Sequence, residues 1–167
     1  MRRFVALAPL ALAVQLCAGQ VMSALTPTAT RFDLDADAQR NTLPSMSFED
    51  PGRREISLRM VPRPSVTPEL SMQDGLFTVE IAHEEGTSYY GTGEVPGRLL
   101  RNGRTNVNWN TDAYGYSLEF PSLYQSHPWV LAVRADGSSF GVLVDTTWRS
   151  TFDLTDDPLV AFDIEVR

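Results

Sequence analysis

Residues 106–116 (NVNWNTDAYGY) set amides, a carboxylate and aromatic rings side by side. Asn108, Asn110, Thr111 and Asp112 surround Trp109, and Tyr114 and Tyr116 follow. Aromatic faces can stack on apolar C–H groups, while amides and carboxylates bond hydroxyls directionally. The set suits contact with a sugar. It also suits an Asx-rich turn with core aromatics, and on residue types alone that plainer reading stands ahead.

Residues 89–94 (YYGTGE) hold Gly91 and Gly93, which permit a tight bend or a close backbone approach. A nucleotide loop needs a third glycine and a following helix, so a β-bulge or turn is expected here, with Glu94 bonded to nearby backbone. Residues 122–129 (SLYQSHPW) carry His127, which Pro128 holds extended. His83 sits beside Glu84 and Glu85 and is expected to face solvent. Two scattered histidines and one cysteine, Cys17, predict no metal site and exclude an intrachain disulfide. Asp33, Asp35 and Asp37 imitate the start of a calcium loop, but Ala38 and Pro44 stand where glycine and glutamate belong. No Gly-x-Ser-x-Gly elbow supports a serine nucleophile, and no cofactor is expected.

These residues need a scaffold, and 167 residues at 43% apolar content suffice for one domain. The net charge of −7 argues against nucleic acid as a partner. Residues 31–37 (RFDLDAD) alternate and predict a half-buried edge strand. Further strands are expected over 55–61, 76–82, 129–135, 140–145 and 160–166. Asp74-Gly75 and Asp136-Gly137 mark hairpin turns. No 3.6-residue periodicity stands out beyond the N-terminal segment. Residues 98–120 read either as a long loop or as paired strands. The pattern predicts an all-β fold, an antiparallel sandwich or barrel. The chain stops at Arg167 straight after a strand-like run, which reads as an interruption of the domain.

Arg2 and Arg3 precede an apolar run over 4–18 and then small residues, the layout of a secretory signal peptide. Cleavage is expected after Ala18, with Ala24 as the other position, leaving a mature domain from residue 19 to 167. The run is short for a membrane span, which takes about 20 residues. Gln15 and Leu16 speak against a lipoprotein signal at Cys17.

YYGTGE, LLRNG, NWNTDAYGY, LYQSHPW and GVLVDTTWRSTFDL, in that order, resemble the N-terminal domain of glycoside hydrolase family 31, the α-glucosidase and α-xylosidase family. The resemblance spans about residues 76–154. Thr146-Thr147 departs from it, since the family often has asparagine before Thr or Ser. The signal-peptide layout and a mature chain without cysteine predict export to the periplasm or outside the cell. The resemblance implies a galactose mutarotase-like β-sandwich packed on a downstream catalytic (β/α)8 barrel. It implies an α-linked oligosaccharide or glucoside as substrate. It implies that one loop of this domain reaches into the barrel's mouth and offers Asp112, with Trp109 and Asn110 beside it, to the bound sugar. The family's retaining nucleophile and acid/base lie on the barrel, so no residue here inherits a catalytic role. A stand-alone carbohydrate-binding module is the second reading. An aldose mutarotase ranks last, because His83 and His127 fit no paired acid and base.

Overall fold

A computed structural model describes residues 19–26, 28–41, 64–155 and 159–165. Ten strands and one short helix follow in order: β1 (Val21–Thr26), β2 (Ala29–Asp33), α1 (Ala36–Asn41), β3 (Glu69–Gln73), β4 (Leu76–Ala82), β5 (Ser88–Gly91), β6 (Thr105–Asn108), β7 (Trp129–Val133), β8 (Ser139–Leu143), β9 (Ser150–Asp153) and β10 (Leu159–Glu165). They form a two-stranded sheet β1-β2, a five-stranded sheet β3-β4-β10-β9-β6 and a three-stranded sheet β5-β7-β8. Every pairing is antiparallel. The all-β, antiparallel sandwich expected from the sequence is the observed architecture.

The two larger sheets face each other across one core. Leu70, Val79, Ile81, Phe152 and Leu154 come from the five-stranded side, and Tyr89, Val130, Ala132 and Val144 from the three-stranded side. In β4 and β7 the buried residues are two apart, Val79 and Ile81, then Val130 and Ala132, as the pleat of a one-faced strand requires. Gln20 ties the small sheet to this body. Its buried amide donates to Pro68 O at 2.9 Å and accepts from Leu70 N at 3.4 Å.

The turns follow their residue types. Asp74 and Gly75 both have positive φ, 51° and 79°, and join β3 to β4 as a two-residue loop with Gln73 opposite Leu76. The β7–β8 turn is closed by Gly137 N to Arg134 O at 3.0 Å, with the Asp136 carboxylate accepting from Ser138 N at 2.8 Å. That turn takes up residues 134–138, so β7 stops at Val133 rather than at 135.

One strand reading is corrected. The strand expected over 31–37 ends at Asp33, and Asp37 lies in α1. Asp35 caps this helix, its Oδ1 accepting from Ala38 N at 2.7 Å. Six residues are too few to show a helical period, and the Asp35 cap competes with the strand. Asp33 instead stays in β2 and receives Arg31 Nε and Nη2 at 2.9 and 2.6 Å. The strand expected over 55–61 and the N-terminal export segment lie outside the described residues.

Candidate functional site

The Gly-x-Gly stretch is a structural clamp. Gly91, Thr92 and Gly93 have φ of 110°, 66° and 81° in succession. A Cβ on Gly93 would lie 2.6 Å from Gln125 O and 2.7 Å from His127 N, so only glycine lets the two chains close up. Thr92 N then bonds Trp129 O at 2.8 Å, and Glu94 N bonds Gln125 O at 2.8 Å. The bend predicted for YYGTGE is present, and its work is to lash residues 92–94 to 123–129. Buried Arg101 braces the same bend, donating Nε to Gly91 O at 3.1 Å and Nη1 to Arg98 O at 2.6 Å. Burial, and then neighbouring Arg104, lower its pKa from the usual guanidinium value.

Residues 105–111 run beside 121–126. Val107 N bonds Pro121 O at 3.0 Å and Thr111 N bonds Leu123 O at 2.7 Å. The Thr111 and Ser122 hydroxyls meet at 3.0 Å. Between these tethers the chain makes an excursion over 112–120. It carries Tyr114 at 98% exposure and Leu118 at 67%, with Tyr116 and Phe120 also exposed.

The three sequence-predicted residues separate here. Asp112 stands exposed at the start of the excursion, next to buried Ala113. Asn110 spends its Oδ1 on Ser126 N at 2.9 Å, so it is a pin for the 122–129 segment. Trp109 is half exposed and walls two adjacent clefts. One, of about 220 Å³, is lined by Val107, Thr111, Phe120 and Arg149 among others. The other, of about 500 Å³, reaches Asn108, Asn110, Ser126, Thr146, Trp148 and Ser150. Asp112 lines neither cleft.

His83 does not face solvent as expected. It is half buried, with Nδ1 2.8 Å from the Tyr89 hydroxyl and its ring 5.6 Å from the Tyr89 ring. Tyr89 is a core residue whose polar end needs a partner, and His83 supplies it. His127 is exposed, and its carbonyl accepts from Trp129 N at 2.7 Å. The Thr146-Thr147 departure sits in a turn in which Thr146 Oγ1 accepts from Trp148 N at 3.1 Å.

Sequence reasoning missed Asn108 and Ser150 as a pair. They are cross-strand partners in β6 and β9, 3% and 1% exposed, and their side-chain polar atoms have no hydrogen-bond partner among the described residues. The available signal was TNVN, a strand that points asparagine inward.

Comparison with known proteins agrees with this geometry. Over 71 residues the chain is 44% identical to an α-glucosidase 2 of Bacillus thermoamyloliquefaciens, which covers 42% of this chain and 9% of that protein. The chain thus spans about a tenth of that relative's length. A family 31 α-glucosidase of Bacteroides thetaiotaomicron superposes with TM-score 0.50 at 47% identity, over 58% of this chain and 16% of that one. A family 31 dextranase of Flavobacterium johnsoniae, solved with glucose, shares the fold with TM-score 0.52 at 21% identity, over 58% of this chain and 12% of its own. The family model for the glycosyl hydrolase 31 N-terminal galactose mutarotase-like domain matches residues 29–153. With that match covering most of a sandwich built around the YYGTGE clamp, the chain belongs to the glycosyl hydrolase 31 N-terminal galactose mutarotase-like domain family.

Proposed function

We propose that this chain is the non-catalytic, carbohydrate-contacting N-terminal domain of an exported α-glucosidase-like glycoside hydrolase, seated on a catalytic barrel. The tethered excursion over 112–120 carries this reading. It projects exposed aromatic and aliphatic side chains from a rigid base, and an apolar surface of that kind marks a docking face. Asp112 stands where such an arm leaves the domain and would give a sugar hydroxyl a charge-assisted hydrogen bond. Among the described residues no aspartate or glutamate lines either cleft, and glycoside hydrolysis needs two facing carboxyl groups.

The fold also bears on export. Cleavage after Ala24 would remove most of β1 and Gln20, whereas cleavage after Ala18 leaves both in place. We therefore favour Ala18 as the end of the signal segment, and mass determination of the secreted N-terminus decides between the two.

The test of the domain's role compares α-glucosidase turnover by this chain alone with turnover by the chain joined in frame to a family 31 barrel. The chain alone is expected to be inactive. In the joined enzyme Asp112→Asn should lower kcat/KM about 10–100-fold, the loss of one hydrogen bond to a charged group, with Tm unchanged. Turnover by the chain alone, or full activity of the variant, refutes the reading. A stand-alone carbohydrate-binding module is the second reading, favoured by the half-exposed rings of Trp109 and Trp148 beside one cleft.

A further inference from the structure

We infer that residues 96–104 extend the docking face of the 112–120 excursion, and that an apolar, acidic patch of the catalytic barrel occupies this extension. The inference rests on the domain role proposed above and names the chemistry of the partner surface. One guanidinium joins the two loops. Arg104 donates Nη1 to Pro96 O at 2.8 Å and Nη2 to Leu118 O at 3.2 Å, so it spans from one to the other. Gly97 leaves room for it. Its φ is 95°, and a Cβ there would lie 2.7 Å from Arg104 Nη1. Leu99 and Leu100, at 79% and 40% exposure, thus stand one guanidinium away from the loop that presents Leu118 at 67%. Exposed leucines brought together by a built contact form a patch, and such a patch marks an interaction site.

Charge specifies the partner. Arg98, Arg101 and Arg104 fall within RLLRNGR, and no aspartate or glutamate stands between Glu94 and Asp112. The chain as a whole carries −7, so this stretch is a local reversal of its charge. None of the three arginines pairs with a carboxylate among the described residues. Arg101 is buried on backbone carbonyls, and Arg104 beside it opposes its charge. A guanidinium withdrawn from water gains most from a carboxylate, through a charge-assisted hydrogen bond. Arginine set among large apolar side chains is also the composition of interface anchors. Nucleic acid asks for a wider basic footprint, and a net charge of −7 repels it. A protein surface that sets carboxylates around an apolar hollow matches both the arginines and the leucines.

Amide hydrogen exchange is compared between the chain alone and the chain joined in frame to a family 31 barrel. Joining should slow the amides of residues 98–100 and 116–118 together, on the order of tenfold or more. Salt at 1 M, where the Debye length is about 3 Å, should reduce the slowing at 98–100. Arg98→Glu sets a like charge against the acidic patch and should restore fast exchange at 98–100 in the joined enzyme. Arg98 is exposed, so the Tm of the chain alone should not change. If Arg98→Glu does not fold, Leu99→Ser must restore fast exchange instead. Slowing at 116–118 without slowing at 98–100 overturns the inference, and so does slowing that survives Arg98→Glu. A lowered Tm of the Arg98→Glu chain alone shows an internal carboxylate partner and overturns it as well. Slowing that appears in the chain alone as its concentration rises makes a second copy the occupant, which also refutes it. Loss of kcat/KM in Asp112→Asn with 98–100 still fast sinks this inference and leaves the domain role standing.

Discussion

Gly93→Ala is the sharpest test of how the site is held. The residue has φ of 81°, and its new Cβ would lie 2.6 Å from Gln125 O, 2.7 Å from His127 N and 3.2 Å from Ser126 Cα. All three are backbone atoms, so no side chain can swing aside. The left-handed conformation itself costs alanine about 1 kcal/mol. Separating the segments also strains the 2.8 Å bond from Glu94 N to Gln125 O, for about 1–3 kcal/mol more. The total of about 2–4 kcal/mol corresponds to a fall in Tm of roughly 4–16 °C for a domain of this size. Gly115→Ala is the control, since Gly115 has φ of 73° and nothing within 4 Å of its virtual Cβ. It carries the conformational cost alone, with a fall of roughly 2–4 °C. Circular dichroism melts of the two variants measure the difference. Equal shifts would refute the claim that close approach, rather than backbone angle, demands glycine at position 93.

Tyr89→Phe removes the hydroxyl partner of His83 Nδ1 and should cost about 1 kcal/mol in urea unfolding, with no change in denaturant slope. Asp136 has its pKa held below the ordinary 3.8, first by the Ser138 side chain and then by the Ser138 backbone N–H. A depressed carboxylate contributes stability that is present above its unfolded value and lost as pH falls through the folded one. Protection of the Ser138 amide should therefore persist through pH 3.8 and fade only in stronger acid. Asp136→Asn should flatten that acid transition, and an unchanged profile would remove Asp136 from the turn's account.

The strands that could be read in advance are those whose burial follows hydropathy. LFTVEIA alternates, closes on Asp74-Gly75, and is β4 from Leu76 to Ala82. β6 was hidden inside 98–120 because its hydropathy is inverted. Asn106 and Asn108 face inward and Val107 between them is less buried, so a period-2 test sees no apolar face. β5 and β9, at four residues each, are too short for periodicity to register, and tertiary pairing creates them. The sugar-contact loop was legible as a set of residue types. What types cannot convey is division of labour. Asn110 is consumed by the Ser126 amide, Asp112 stands apart from the clefts, and the inward polar pair comes from strands about forty residues apart.

The placement of β10 has a consequence for the order of assembly. It lies between β4 and β9, although it is the last of the described strands to be made. The β3–β4 hairpin and the β6–β9 pair can each form early, but they have no shared edge until residues 159–165 arrive to bridge them. At a synthesis rate of about 5–20 residues per second, β4 waits roughly 4–17 s for that strand. Over that interval β4 offers an open hydrogen-bonding edge and half a core. Until then that edge must be shielded, and the sheet is completed by a strand inserted into its centre rather than added to its rim.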